Sequence, residues 1–139
     1  MVLPSNANVA ASRSLAAELA TIIRGIAFPS AVVDEYLVQD TIEKTLREYE
    51  YSVAREHRLT VGERVDFLVT GSAHPDAAVG IEVKTKGSFA MVMRQLLRYA
   101  KCPEVGALVL ATTRTQLASM PPKLLDKPVL SATCFGAIF

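Results

Sequence analysis

The chain has 139 residues, of which half are hydrophobic, and a formal net charge of +1. This length suits one domain with one core, and the apolar residues are spread along the chain, which excludes wholesale disorder. The near-neutral charge gives no electrostatic indication of a polyanionic partner. The apolar runs are too short for a membrane span, and Arg13, Glu18 and Arg24 interrupt the N-terminal region, so no signal peptide is expected. Cys102 and Cys134 lack metal-ligand spacing, which favours reduced thiols in a cytoplasmic protein.

Hydrophobic periodicity and turn-forming residues predict an alternation of helices and strands. The predicted elements are, in chain order, helices over 11–26 and 32–49, strands over 51–59, 64–70 and 79–84, a helix over 88–101, and strands over 106–112 and about 127–132. Residues 1–10 are expected to be a loose leader. Residues 71–78 have the composition of a turn.

This order of elements predicts the α/β class, with a central mixed β-sheet flanked by helices. The first three strands are expected to form an antiparallel meander, and a helical crossover then adds the next strand in parallel. We expect one globular domain overall, with an N-terminal leader and accessory helix over residues 1–30 and the main domain over residues 31–139.

Two of the predicted strands carry three charged residues that can lie close together. Because side chains alternate in a strand, Glu82 and Lys84 share one face, roughly 7 Å apart. If the preceding strand pairs with theirs as a hairpin, Asp66 meets Glu82 across the ladder. Two carboxylates in contact repel unless a divalent cation holds them, and Mg²⁺ suits this role because it prefers oxygen ligands and retains exchangeable waters. A lysine on the same face can orient or deprotonate a water that attacks a phosphate.

The same charges have an ordinary alternative interpretation. An E-x-K triplet taken alone favours a solvated salt bridge between strands. A sheet covered by helices on both faces leaves little room for solvated charge in its central strands, which favours a bound partner instead. The dipeptide Pro75-Asp76 also precedes Glu82, but its surroundings have turn composition, so Asp66 is the expected functional aspartate.

The predicted second helix carries an acidic residue on its apolar stripe. At about 100° per residue, Glu35 lies near the centre of that stripe and Glu43 at its edge. A carboxylate facing the core is costly unless it is paired or bound to metal, which favours Glu35 as a site residue with Gln39 as its neighbour. The alternative is a partly solvated Glu35 that stabilises the helix dipole.

The predicted third helix has a polar rim beside its apolar arc. Gln95 and Tyr99 are spaced i, i+4 on this rim, and Arg94 and Arg98 lie just beyond. Such a rim can present an amide, a phenol and two guanidinium groups to a phosphate backbone. Core packing of the tyrosine and solvated arginines are the ordinary alternative.

Together these residues resemble the PD-(D/E)XK nuclease superfamily. The resemblance covers residues 32–112 and rests on a helix glutamate and on the segments R-V-D-F-L-V, I-E-V-K and Q-L-L-R-Y. The Q-x-x-x-Y spacing after the lysine strand is similar to the RecB-like branch. The resemblance implies a restriction-endonuclease-like core, α-β-β-β-α-β, within residues 31–139, although Val65 stands where the family often has proline.

The resemblance also implies roles for individual residues. Asp66 and Glu82 would bind Mg²⁺ or Mn²⁺, Lys84 would assist the attacking water, and Glu35 or, with less support, Glu43 would be the helix carboxylate that serves catalysis and metal. The residues expected to bind substrate, from the helix rim and the resemblance together, are Gln95, Tyr99, Arg94 and Arg98.

The expectation is therefore a cytoplasmic Mg²⁺-dependent nuclease that hydrolyses DNA by metal-activated water. Alternatives are a non-catalytic module that binds nucleic acid or protein on the same fold, and the same chemistry directed at RNA or branched DNA. The presence of every site charge argues against the non-catalytic module. A lone domain of this size is expected to grip a duplex as a homodimer. The helix over residues 11–26 is the candidate contact, unless it packs on its own sheet.

Overall fold

A mixed β-sheet of six strands organises the computed structural model, which describes residues 6–28 and 34–134. The strands are β1 Ser52–Arg58, β2 Arg64–Gly71, β3 His74–Lys84, β4 Ala107–Thr112, β5 Lys123–Leu124 and β6 Lys127–Thr133. The helices are α1 Val9–Arg24, α2 Glu35–Glu48 and α3 Phe89–Ala100, and a 3₁₀ turn covers Thr115–Ser119. The order across the sheet is β1-β2-β3-β4-β6-β5.

The strand directions confirm the predicted meander and crossover. β1, β2 and β3 pair antiparallel in sequence order, whereas β4 pairs with β3 in parallel after the α3 crossover. β6 then adds in parallel to β4 and forms a short antiparallel hairpin with β5. The chain is thus an α/β protein with a mixed sheet flanked by helices. No helix among the residues described is long and apolar enough to cross a bilayer.

The two faces of the sheet bury different helices. On the first face, α1 and α2 pack against the odd-numbered positions of the central strands, which are Phe67, Val69, Val79, Ile81 and Val83. On the second face, α3 packs against Leu68, Leu108 and Leu110. Every residue of β4 is buried, as expected for a parallel strand covered on both sides.

The first helix packs on its own sheet, which was the alternative to a dimer contact. α1 lies against β3, β4 and β6. Its Ser12 Oγ accepts a hydrogen bond from the Ala78 N–H (3.1 Å), and Arg24 donates to the Ser131 carbonyl (2.8 Å). This close approach requires a glycine at position 106, because a Cβ there would clash with Ser12 Oγ.

Two predicted segments differ from the structure. Residues 7–10 are not a loose leader, because the Ala7 and Asn8 amides bond into the fold and α1 begins at Val9. The predicted turn over 71–78 was also wrong. The turn is only Ser72-Ala73, and β3 starts at His74, in register with Gly71. Proline is tolerated near the start of a strand, so turn-like composition did not prevent pairing. The start of the predicted second helix and the expected boundary at 30/31 lie outside the described residues.

Candidate functional site

Two carboxylates lie where the pairing of β2 with β3 ends. The backbone register of these strands stops at Phe67↔Ile81, one step before Asp66 and Glu82. Beyond it, the Val83 N–H donates to Asp66 Oδ2 (2.8 Å) and the Asp66 N–H donates to Glu82 Oε1 (3.3 Å). Side-chain oxygens thus accept N–H groups that carbonyls accept in a regular ladder. The two carboxylates are therefore held between the strands by backbone hydrogen bonds.

Lys84 extends from the same face of β3 towards solvent. Its Nζ lies 3.3 Å from Glu82 Oε2. The lysine side chain is 23% exposed, whereas that of Glu82 is only 4% exposed. The carboxylates of Asp66 and Glu82 thus form an acidic floor, in which Glu82 is buried and Asp66 partly buried, beside a cation that a ligand can reach.

Tyr99 supports the carboxylate floor from α3. Its hydroxyl donates to Glu82 Oε1 (3.0 Å) and also lies 3.0 Å from the Arg64 carbonyl. One turn earlier, Gln95 donates through Nε2 to the same hydroxyl (2.8 Å). The i, i+4 pair singled out in the sequence is thus a relay of hydrogen bonds that ends on Glu82.

The two arginines of the predicted rim differ in their ion-pair partners. Arg98 forms an ion pair with Glu63 (2.7 Å), so its charge is neutralised. Arg94 is exposed and forms no ion pair with the described residues. Among the described residues, no ion pair joins either arginine to Asp66 or Glu82.

The two candidate helix glutamates have different partners. Glu35 Oε1 accepts hydrogen bonds from the Thr85 N–H (3.2 Å) and hydroxyl (3.4 Å), immediately after Lys84. Glu43 is instead tied to Arg47 and Arg55. The structure therefore places Glu35 beside the strand motif and Glu43 in a separate ion-pair network.

Burial opposes ionisation of both acids on the floor. The pKa of Glu82 is raised to about 7, first by burial and then by the charge of Asp66, against the lowering effects of Lys84 and Tyr99. The pKa of Asp66 is also raised, chiefly by burial, although its bond from Val83 opposes this. With both acids ionised, Lys84 compensates one of two negative charges. A divalent cation would compensate the remaining negative charge.

The donor set that a cation would meet consists of two carboxylates. Among the residues the structure describes, no group of three or more His, Cys, Asp and Glu side chains is arranged to hold a metal ion. Mg²⁺ is commonly bound by one or two carboxylates together with waters and substrate phosphates. Asp66 and Glu82 fit that mode, and Glu35, bonded to Thr85, lies outside the pair.

Sequence analysis missed two residues beside the site. Thr85 holds Glu35, as described above. Glu56, on β1, lies opposite Asp66, because the flanking pairs are in register, and its charge also raises the pKa of Asp66. Strand alternation could have placed Glu56 near Asp66. The φ of Glu56 is +54°, a left-handed conformation that glutamate rarely adopts, so the sequence does not predict it.

Comparison of the chain with family models, with curated proteins and with solved structures gives no match.

Proposed function

We propose that the chain is a metal-dependent nuclease that hydrolyses phosphodiester bonds of DNA. The observation that carries this proposal is the pair formed by the buried Glu82 and the partly buried Asp66, whose combined charge Lys84 only half compensates when both acids are ionised. The order α2-β1-β2-β3-α3-β4 and the position of the site at the divergence of β2 and β3 support a restriction-endonuclease-like core.

Each residue would have a distinct part in the reaction. Asp66 and Glu82 would hold Mg²⁺ or Mn²⁺, which when bound supplies an acidified water and compensates phosphate charge. Lys84 Nζ, which a ligand can reach, would orient or deprotonate the attacking water and stabilise charge on the phosphate oxygens. Tyr99 would fix the orientation of Glu82 through the bond to Oε1, and Gln95 would fix Tyr99.

The basic test is incubation of the purified protein with DNA in several forms. Linear duplex, circular, single-stranded and branched DNA, with RNA for comparison, would each be incubated with Mg²⁺, Mn²⁺ or EDTA. We expect cleavage of at least one DNA form with either metal and none with EDTA. Binding without cleavage under every metal condition would favour a non-catalytic module instead.

The lysine variant tests whether this site performs the cleavage. Lys84→Ala should lower kcat by at least about 100-fold, because it removes the cation from the developing phosphate charge. The control Lys101→Ala removes an exposed lysine at the end of α3 and should leave the rate unchanged. Wild-type turnover by Lys84→Ala would refute the assigned role.

A pair of aspartate variants tests the metal site with one chemical change. Asp66→Asn replaces an anionic oxygen by an amide and should weaken Mn²⁺ binding, measured by titration calorimetry, by at least about tenfold. Asp76→Asn makes the same change at the exposed, opposite end of β3 and should bind Mn²⁺ like the wild type. Equal Mn²⁺ affinities in all three proteins would exclude this metal site.

A further inference from the structure

Two loops meet beside Lys84 at one edge of the sheet. β3 and β4 run parallel with Lys84 in register with Thr112, so the loops that follow both strands leave at the same edge. The Thr113 N–H donates to the Lys84 carbonyl (3.4 Å), which ties the loops together. The loop after β3 passes through Gly87 to α3, and the loop after β4 carries Arg114.

Arg114 is held in place by a carbonyl and not by an acid. Its Nη1 donates to the Gly87 carbonyl (3.0 Å), and its backbone N–H donates to Thr112 Oγ1 (3.0 Å). Gly87 has a φ of 111°, which side chains disfavour, so this turn depends on glycine. No carboxylate of residues 6–28 or 34–134 forms an ion pair with Arg114. A guanidinium has several N–H donors, so most of them remain available to an anion.

Lys86 adds a second uncompensated cation to the same edge. It is exposed, and no ion pair in the described part of the chain includes it. Lys86 is two residues after Lys84 in the chain. Because an extended chain spans at most about 3.6 Å per residue, the two Cα atoms are at most about 7 Å apart. The acids thus form the floor of the site, while Lys86 and Arg114 lie beside its open end.

We propose that Lys86 and Arg114 bind the phosphate adjacent to the one that is cleaved, so that the substrate is a polynucleotide strand and not an isolated phosphodiester. This inference rests on the proposed nuclease function. A strand that places one phosphate over Asp66 and Glu82 brings a neighbouring phosphate to the loops beside them. Lysine and arginine bind phosphate through charge-assisted hydrogen bonds, and an arginine without an acidic partner keeps its full charge for this purpose.

The test compares two substrates that differ in the neighbouring phosphate. The wild type, Arg114→Ala and Lys86→Ala would be assayed on DNA and on bis(p-nitrophenyl) phosphate, which has a single phosphate. Each variant should lose about tenfold in kcat/KM on DNA, mainly through KM, and nothing on the small diester. The control Arg13→Ala removes an exposed arginine of α1 and should match the wild type on both substrates.

Binding in EDTA provides a second readout that does not depend on turnover. The affinity for fluorescein-labelled oligothymidine, measured by anisotropy over a range of salt concentrations, gives a slope of log K against log salt. Each subsite variant should reduce this slope by about 0.7, the value for one phosphate contact on a single strand. Arg114→Lys, which keeps the charge, should restore most of the slope and guards against a folding defect in Arg114→Ala.

The outcomes separate this inference from the function on which it rests. Unchanged salt slopes and unchanged kcat/KM on DNA in both variants of an active wild type would overturn the subsite and leave the nuclease intact. Equal losses on DNA and on the small diester would also overturn it, because the residues would then act on the reacting phosphate. A wild type that neither binds nor cleaves DNA would overturn both proposals.

Discussion

Glu82 is an acid whose burial opposes its ionisation. Its side chain is 4% exposed, yet it receives hydrogen bonds from Asp66 and Tyr99 and an ion pair from Lys84. These partners favour the ionised form but do not outweigh burial and the neighbouring acid, and the pKa stays at about 7. The metal-free protein therefore has an acid that titrates near neutrality.

This shift predicts how the stability of the metal-free protein depends on pH. The folded protein holds the Glu82 proton up to about pH 7, whereas the unfolded chain releases it near 4.5. The unfolded state therefore binds fewer protons in this window, and the free energy of unfolding falls as the pH rises through it. The full loss above pH 7 is about 3 kcal/mol. Urea unfolding in EDTA between pH 4.5 and 8 measures this slope.

Glu82→Gln should remove most of that slope, leaving the part that comes from Asp66, whose pKa is also raised, and should make the metal-free protein more stable than the wild type at pH 8. The control Glu48→Gln, which changes an exposed glutamate of α2, should keep it. Saturating Mn²⁺ should flatten the slope of the wild type as well, because the cation favours the ionised acid. An unchanged slope in Glu82→Gln would show that a group other than Glu82 is responsible for it.

Glu35 and Glu43 provide a second comparison between single residues. Glu35→Gln should lower kcat by at least about tenfold, roughly 1.4 kcal/mol of barrier, because Glu35 is bonded to Thr85 beside Lys84 and its charge acts on Asp66. Glu43→Gln should have little effect on kcat, because its partners are arginines away from the site. Steady-state kinetics with saturating metal would decide, and the reverse ranking would contradict this assignment.

Arg55 fixes the position of α2 on the sheet. This side chain of β1 donates to Asp40 (2.6 Å), to Glu43 (3.0 Å) and to the amide oxygen of Gln39 (3.1 Å). Its guanidinium carbon also lies 5.8 Å from the ring centroid of Phe67. α2 carries Glu35, so this network fixes the helix that brings Glu35 to the strand motif.

Arg55→Leu should therefore destabilise the protein by about 1–3 kcal/mol, because the buried amide of Gln39 loses its donor. Arg58→Leu makes the same change at an exposed position of β1 and should cost much less. Urea unfolding of the two variants measures the difference. Equal stabilities would mean that α2 is held by its apolar stripe alone.

Elements that are determined by the sequence pattern within them could be predicted, whereas elements that depend on pairing with distant residues could not. α3 and β4 were predicted to within a residue or two, because apolar periodicity and a continuous apolar run are local properties. The start of β3 was missed, because hairpin pairing of His74 with Gly71 overrides local turn composition. The two-residue β5 was not predicted either, since its existence depends on pairing with β6.

The candidate site likewise has some features that the sequence predicts and others that depend on contacts between separate elements. Strand alternation places Glu82 and Lys84 on one face, and their contact at 3.3 Å agrees with it. The Val83 N–H that bonds to Asp66, and the Arg114 guanidinium at Gly87, depend on contacts between separate elements. Such contacts leave no pattern in a single sequence.

At the scale of the whole molecule, α1 is part of the hydrophobic core. Leu19 is completely buried in the cluster shared by α1, α2 and the sheet. Leu19→Ala should cost about 2–5 kcal/mol, whereas Val61→Ala, at an exposed position of the β1–β2 turn, should cost at most about 0.5 kcal/mol. Urea unfolding followed by circular dichroism and by tyrosine fluorescence should give one shared transition. Two separate transitions would indicate that α1 unfolds on its own.

The contact between α1 and β6 also has a consequence for biosynthesis. Arg24 and its partner Ser131 are 107 residues apart in the chain. At a translation rate of 5–20 residues per second, β6, the last of the strands that cover α1, is synthesised on the order of 5 to 20 s after α1. A nascent chain of this protein is therefore expected to bind ribosome-associated chaperones through α1 until β6 has left the exit tunnel.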